Sequence, residues 1–228
     1  MSDTPQNAEQ IAGEAAAAAE KVTDLRGSVR DMTLRALKSR ELSLGEMKSV
    51  LRAVSEGVSI GLEKRGGELK GAAADALAGL DEAVKKSAEA TKLAAEQLLS
   101  QGREFTEQDL KPVYEDMKRL EGELLDAVSN AADRAGARVK QEFSDLVTHA
   151  RRTGTDTGRL VADTVAEFNG RLAGTVKGGA AESATAAREL SKRLTVVASG
   201  ILSGMADALH FHQLIFRRIV RVAFSDDE

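Results

Sequence analysis

Histidine is the first side chain to test for chemistry, because its imidazole binds metals and exchanges protons near neutral pH. The chain has three: His149, His210 and His212. On a regular helix positions 210 and 212 point about 200° apart, so they cannot close on one metal ion. None has a glutamate three positions earlier, which removes the Glu-x-x-His signature of di-iron helical bundles. There is no cysteine, hence no disulfide, thiolate zinc site or thiol nucleophile. Serine and threonine are plentiful, but no strand-to-helix turn is expected to present one as a nucleophile. Gly154-Thr155-Asp156-Thr157-Gly158 contains the Asp-Thr-Gly string of aspartic proteases. That string works on a β-hairpin of a β-rich fold, which this chain is not expected to form. A Gly-x-x-x-x-Gly-Lys phosphate loop is absent. No catalytic, cofactor-binding or metal-binding residue is expected, and the chain reads as a non-enzyme that takes no small-molecule substrate.

The elements that would position any site are helices. Only Pro5 and Pro112 interrupt 228 residues, and a proline inside a helix costs about 3 kcal/mol, so long helices are permitted. No segment alternates apolar and polar residues with a β-branched bias. The expected fold class is all-α, with long amphipathic helices in an elongated bundle or coiled-coil-like assembly. Six Phe, one Tyr and no Trp leave Ala, Gly, Leu and Val to supply the apolar stripes.

Periodicity divides the chain. Residues 1–10 are expected to be disordered, 11–152 a helical bundle region, 153–159 a hinge, 160–224 a C-terminal amphipathic region and 225–228 an acidic tail. Ile11, Ala15, Ala18, Val22, Leu25, Val29, Met32 and Ala36 step by four and three, a heptad seam. A break is expected near Arg40–Ser43, and Ser43 with Glu46 has capping-box spacing. Met47, Leu51, Val54, Val58 and Leu62 mark the next helix, which should end at Lys64-Arg65-Gly66-Gly67. From Leu69 onward the rhythm is eleven residues: Leu69/Leu80/Thr91, Ala73/Val84/Ala95, then Val113/Leu124/Ala135/Leu146 and Met117/Val128/Val139/Ala150. About five helices are expected. Glycines 57/61, 67/71, 154/158, 170/174/178 and 200/204 fall four apart, a spacing that lets another helix backbone approach closely. Gly200 and Gly204 are the candidate helix-packing pair near the C-terminus.

From Leu194 to Ala206 there are 13 residues without charge, then Asp207, then nine more to Phe216. A bilayer span needs about 20 mainly apolar residues, and a central Asp costs about 2.5–3.5 kcal/mol. A span is therefore disfavoured. Phe211, Ile215, Ile219 and Val222 lie along one side, broadened by Phe216, Val220 and Phe224, while Arg217, Arg218 and Arg221 share another. Apolar bulk beside an arginine stripe describes a helix that lies in an interface. The candidate interface-binding residues are thus Phe211, Ile215, Phe216, Arg217, Arg218, Ile219, Val220, Arg221 and Phe224. The competing expectation is that the three phenylalanines complete an inter-helix core.

The charge of −4 is well interspersed, and neither a concentrated basic face nor a stacking platform suggests nucleic acid. The polar, acidic start MSDTPQNAEQ lacks the layout of a secretory signal, so a cytoplasmic location is expected. The long Ala/Gly-rich helices and the row Val113/Leu124/Ala135/Leu146 resemble bacterial phasins, the coat proteins of polyester granules. They are similar also to exchangeable apolipoproteins and late-embryogenesis-abundant proteins. The resemblance implies a homo-oligomer at the periphery of a membrane or storage-granule surface. The alternatives are a coiled-coil scaffold without a lipid role and a pore-forming or envelope protein using 194–216.

Overall fold

A reciprocal cap starts the first helix. Asn7 accepts from the Gln10 N–H at 2.8 Å while the Gln10 side chain accepts from the Asn7 N–H at 2.9 Å, which opens α1 (Ala8–Lys21). The computed structural model describes residues 6–38, 40, 43–100, 110–174, 196–198 and 201–202. Eight helices lie between Ala8 and Gly174, residues 196–198 and 201–202 are also helical, and no strand is found among the described residues. After α1 come α2 (Leu25–Lys38), α3 (Leu44–Lys64), α4 (Leu69–Ser100), α5 (Lys111–Met117), α6 (Leu120–Arg134), α7 (Ala137–Thr153) and α8 (Asp156–Gly174).

The all-α fold is as expected, but the helices are shorter and more numerous than the rhythm implies. The seam from Ile11 to Ala36 is broken at Val22–Asp24 and folded back on itself. Asp24 accepts from the Gly27 N–H at 2.9 Å and so begins α2. Both halves of the seam still face inward, because Ala18 and Leu25 on either side of the break are buried. The 113–150 segment is likewise interrupted at Lys118-Arg119 and Ala135-Gly136. Its rows keep their phase: Met117, Val128, Val139 and Ala150 are all buried. Ser43 accepts from the Glu46 N–H at 3.4 Å, but the Glu46 carboxylate is engaged by Arg40 at 2.7 Å, so the expected capping box is only half used. Gly67, with φ +92°, closes the turn after α3, and Pro112 sits in the first turn of α5.

Cross-helix contacts set the directions. Glu14 pairs with Arg35, and Arg40 reaches the Gln6 carbonyl, so α2 runs antiparallel to α1. Lys48 meets Glu123 at 2.7 Å and Glu56 meets Arg134, so α6 runs parallel to α3. Asp133–Lys140, Asp126–Arg151, Glu121–Thr155 and Tyr114–Phe168 follow one another in opposite chain order. Hence α5–α6 forms one bent arm and α7–α8 the other, running back along it. Gly154, at φ +77°, bends this second arm without reversing it. Asp81 meets Asp156 and Lys92 meets Glu167, both at 2.9 Å, so α8 is parallel to α4. Each of those steps is eleven residues (92 − 81 and 167 − 156). The result is three helical hairpins side by side. One layer holds α1, α3 and α5–α6; the other holds α2, α4 and α7–α8. The central hairpin, α3–α4, touches both its neighbours, and one continuous cluster of buried residues runs through the stack.

What joins the first two hairpins is the closeness of their backbones. A methyl group placed on Gly57 would lie 2.1 Å from the Ala12 carbonyl oxygen, and one on Gly61 would lie 2.2 Å from that of Ala16. The same glycines face the side chains of Ala15 and Ala19. Helices α1 and α3 therefore run parallel at a separation that only hydrogen on one side and methyl on the other permits. Gly79 does the same between α4 and α2, where an added methyl would lie 2.4 Å from the Arg26 carbonyl oxygen. Of the other spaced glycines, Gly67 and Gly154 serve turns and Gly170 faces open space.

Replacing Gly57 by alanine improves helix propensity by about 1 kcal/mol, but two rigid backbones must then separate. We expect overpacking to win and Gly57→Ala to lower stability by about 1–3 kcal/mol in denaturant unfolding. Gly13→Ala, where nothing lies within 4 Å, should raise it by up to about 1 kcal/mol. Equal effects at the two sites would contradict the close packing.

Candidate functional site

The proposed interface residues Phe211, Ile215, Phe216, Arg217, Arg218, Ile219, Val220, Arg221 and Phe224, with Gly200 and Gly204, lie outside the described residues. The entry to that region is described. Residues 196–198 and 201–202 are helical. Ala198 is 0% and Leu202 1% exposed, and both belong to the buried cluster of the stack. Val197 and Ile201 are half-buried against it, while Val196 is 72% exposed. Positions four apart thus form a narrow docked stripe on one face, with an exposed flank beside it.

Each polar string with catalytic spacing proves to be structural. In Gly154–Gly158 the Thr155 N–H donates to Glu121 at 2.8 Å, and the Thr155 hydroxyl accepts from the Gly158 N–H at 2.9 Å. The Asp156 and Thr157 N–H groups donate to the Asp81 carboxylate at 2.9 and 3.1 Å, and the Thr157 hydroxyl donates to the Asp81 carbonyl at 3.0 Å. This string caps α8 and has no carboxylate pair facing a substrate. Gly57-Val58-Ser59-Ile60-Gly61 has the Gly-x-Ser-x-Gly spacing of a nucleophile elbow. It lies inside α3 instead of at a strand-to-helix turn, and the buried Ser59 hydroxyl donates to the Ala131 carbonyl at 3.5 Å. His149 stands at an exposed position on α7 beside Arg152. Among the described residues no group of three His, Cys, Asp or Glu side chains could hold a metal ion.

The strongest charge cluster joins α2 to α4. Arg26 bonds Glu82 at 2.9 Å, and Arg30 bonds Asp31 at 2.8 Å while its other arm stands 3.5 Å from Glu82. The hydrogen bond to Glu82 holds the Arg26 guanidinium above its ordinary value. A guanidinium so held stays charged at every physiological pH, so Arg26 is a fixed half of a clamp across the Gly79 contact.

Helix ends are served by neighbouring helices. Besides Asp81 and Glu121, Glu63 of α3 accepts from the Gly136 N–H at the start of α7. Arg65, just past α3, donates to the Ala19 and Val22 carbonyls at 2.9 and 3.2 Å, closing the end of α1. Such caps satisfy orphan backbone groups and fix the register between neighbouring helices. The sequence carries no local signal for them, since partners such as Asp81 and Asp156 are 75 positions apart. Removing the Asp81 carboxylate (Asp81→Ala) should cost about 1–3 kcal/mol and speed amide exchange in α8 ahead of α1. Unchanged exchange in α8 would contradict the assignment.

No helix of the described residues is long and apolar enough to cross a membrane. No curated protein matches this chain, and no solved structure does either. A family model, described as "Family of unknown function (DUF6781)", matches residues 1–211, and the chain belongs to that family.

Proposed function

We propose that this protein is a non-enzymatic helical protein that associates with a hydrophobic or anionic surface, a polyester granule or membrane, through its C-terminal amphipathic segment. The observation that carries the reading is the contrast between the stack and that segment. Within the stack the apolar rows face one another, and Ile60, Leu93 and Val196 are the large apolar side chains left exposed among the described residues. The seam at 11–36, on which a coiled-coil scaffold would depend, is turned inward and engaged by the chain's own helices. The run from Phe211 to Phe224 instead combines three of the six phenylalanines with Arg217, Arg218 and Arg221. Apolar side chains there would enter the acyl or polyester layer, while the arginine stems reach anionic groups at its edge.

Deleting 194–224 would also remove Ala198 and Leu202 from the core, so substitutions test the reading more cleanly. Phe211→Asp with Phe216→Asp in the full chain should reduce flotation with phosphatidylglycerol-containing vesicles at least about tenfold, since each buried Phe contributes about 1.5–3 kcal/mol. The thermal midpoint should stay unchanged. Flotation equal to that of the wild-type protein, or none by the wild-type protein itself, would overturn the proposal.

A further inference from the structure

Nothing in the backbone between α1 and α2 forbids a straight helix. Val22, Thr23 and Asp24 include neither Gly nor Pro, and none of them takes the left-handed conformation. The apolar steps Ala15, Ala18, Val22, Leu25 and Val29 keep their four-and-three rhythm across the turn. Side chains make the turn instead. The Asp24 carboxylate accepts from the Gly27 N–H at 2.9 Å, and Arg65 donates to the Ala19 and Val22 carbonyls. In a continuous helix those two carbonyls would accept from the Thr23 and Arg26 N–H groups, four residues on. The two sides of this joint are also anchored unequally. Helix α2 is fixed to α4 by the Gly79 contact and by Arg26 and Arg30 on Glu82. Helix α1 buries only Ile11, Ala15, Ala18 and Ala19, and its polar partners Arg35, Arg40 and Arg65 are present on every copy of the chain.

We propose that α1 is an exchangeable element, which leaves α3 of its own chain and takes the same place on α3 of a second copy. The inference is independent of the surface-binding reading above. In the exchanged dimer residues 8–38 form one helix, and each α1 meets Gly57 and Gly61 of the other copy. Because α1 runs antiparallel to its own α2, the two straightened helices lie antiparallel, each α1 beside the other copy's α2. That arrangement closes with two-fold symmetry. The contacts of α1 are then recovered across the dimer, except at the joint itself. The balance between closed chain and exchanged pair is therefore set by residues 22–24, by Arg65 and by protein concentration.

The test alters the joint and leaves the α1–α3 contact intact. Thr23→Ala with Asp24→Ala removes the cap on Gly27 and supplies two strong helix formers. Thr23→Pro forbids the continuous helix, and Val22 is already extended, at φ −80° and ψ 138°, as a residue before proline must be. Full-length chains, half of them isotopically labelled, are unfolded and refolded together at high concentration. Sedimentation then reads their association, and isotope-filtered nuclear Overhauser spectra read which chains touch. The double variant should dimerise at least about tenfold more tightly than the Thr23→Pro chain. Its dimer should show cross-peaks from the Gly57 Hα protons to the Ala15 methyl between differently labelled chains, whereas Thr23→Pro should show them within one chain alone. Equal association by the two variants would overturn the exchange. So would a dimer whose cross-peaks stay within each chain, because its interface lies elsewhere. If the double variant does not fold, Arg65→Ala, outside the joint, removes the bonds that close α1 and takes its place with the same expected and contrary results.

Discussion

The contact between Gly57 and Gly61 on α3 and the alanine face of α1 is the constraint from which the rest of the structure follows. It brings two parallel helices within reach of each other's backbone, and parallel helices joined by short links must have an antiparallel helix between them. The hairpin α1–α2 and its stacking on α3–α4 are consequences of that geometry. Small side chains are usually poor sources of apolar burial, about 25 cal/mol per Å². Here they work differently, because their smallness lets whole helix surfaces meet, and dispersion contacts between backbones replace those of bulky side chains. An alanine-rich chain with 6 Phe and no Trp can close in this way without a thick core.

Stacking at this distance leaves helix ends facing neighbouring helices, and carboxylates on those neighbours supply the missing acceptors. Asp81, Glu121 and Glu63 accept from the first turns of α7 and α8 or the residues just before them, while Arg65 closes α1. The Glu121 bond joins the two arms of the third hairpin, and the others connect adjacent hairpins, as do the ion pairs Lys48–Glu123 and Lys92–Glu167. Charge in this protein is largely a device of register. That is why the strings resembling catalytic motifs prove to be caps or helix interior.

Periodicity made the inward faces legible. Leu69, Leu80 and Thr91, and Ala73, Val84 and Ala95, are buried as their spacing requires. It could not reveal where the chain turns back. At Val22–Asp24 there is neither Gly nor Pro, and the apolar phase continues unbroken across the turn, so a folded seam reads the same as a straight one. The local trace was Asp24 three residues before Gly27, a cap whose meaning depends on the break it creates. The spaced glycines were legible as a pattern but not as partners: Gly57 and Gly61 meet α1, whereas Gly67 and Gly154 merely turn the chain. The candidate surface residues from Phe211 onward are read from sequence, and the burial of Ala198 and Leu202 became visible only in three dimensions.

The described hairpins bury their apolar rows against one another, and that arrangement depends on α1 and α3 satisfying each other. The most direct measurement is a nuclear Overhauser experiment on isotopically labelled full-length protein, with mixed-label samples separating contacts within a chain from contacts between chains. It should show strong intramolecular cross-peaks from the Gly57 Hα protons to the Ala15 methyl and from the Gly61 Hα protons to the Ala19 methyl. Their absence, or their appearance only between differently labelled chains, would contradict the close parallel packing within one chain.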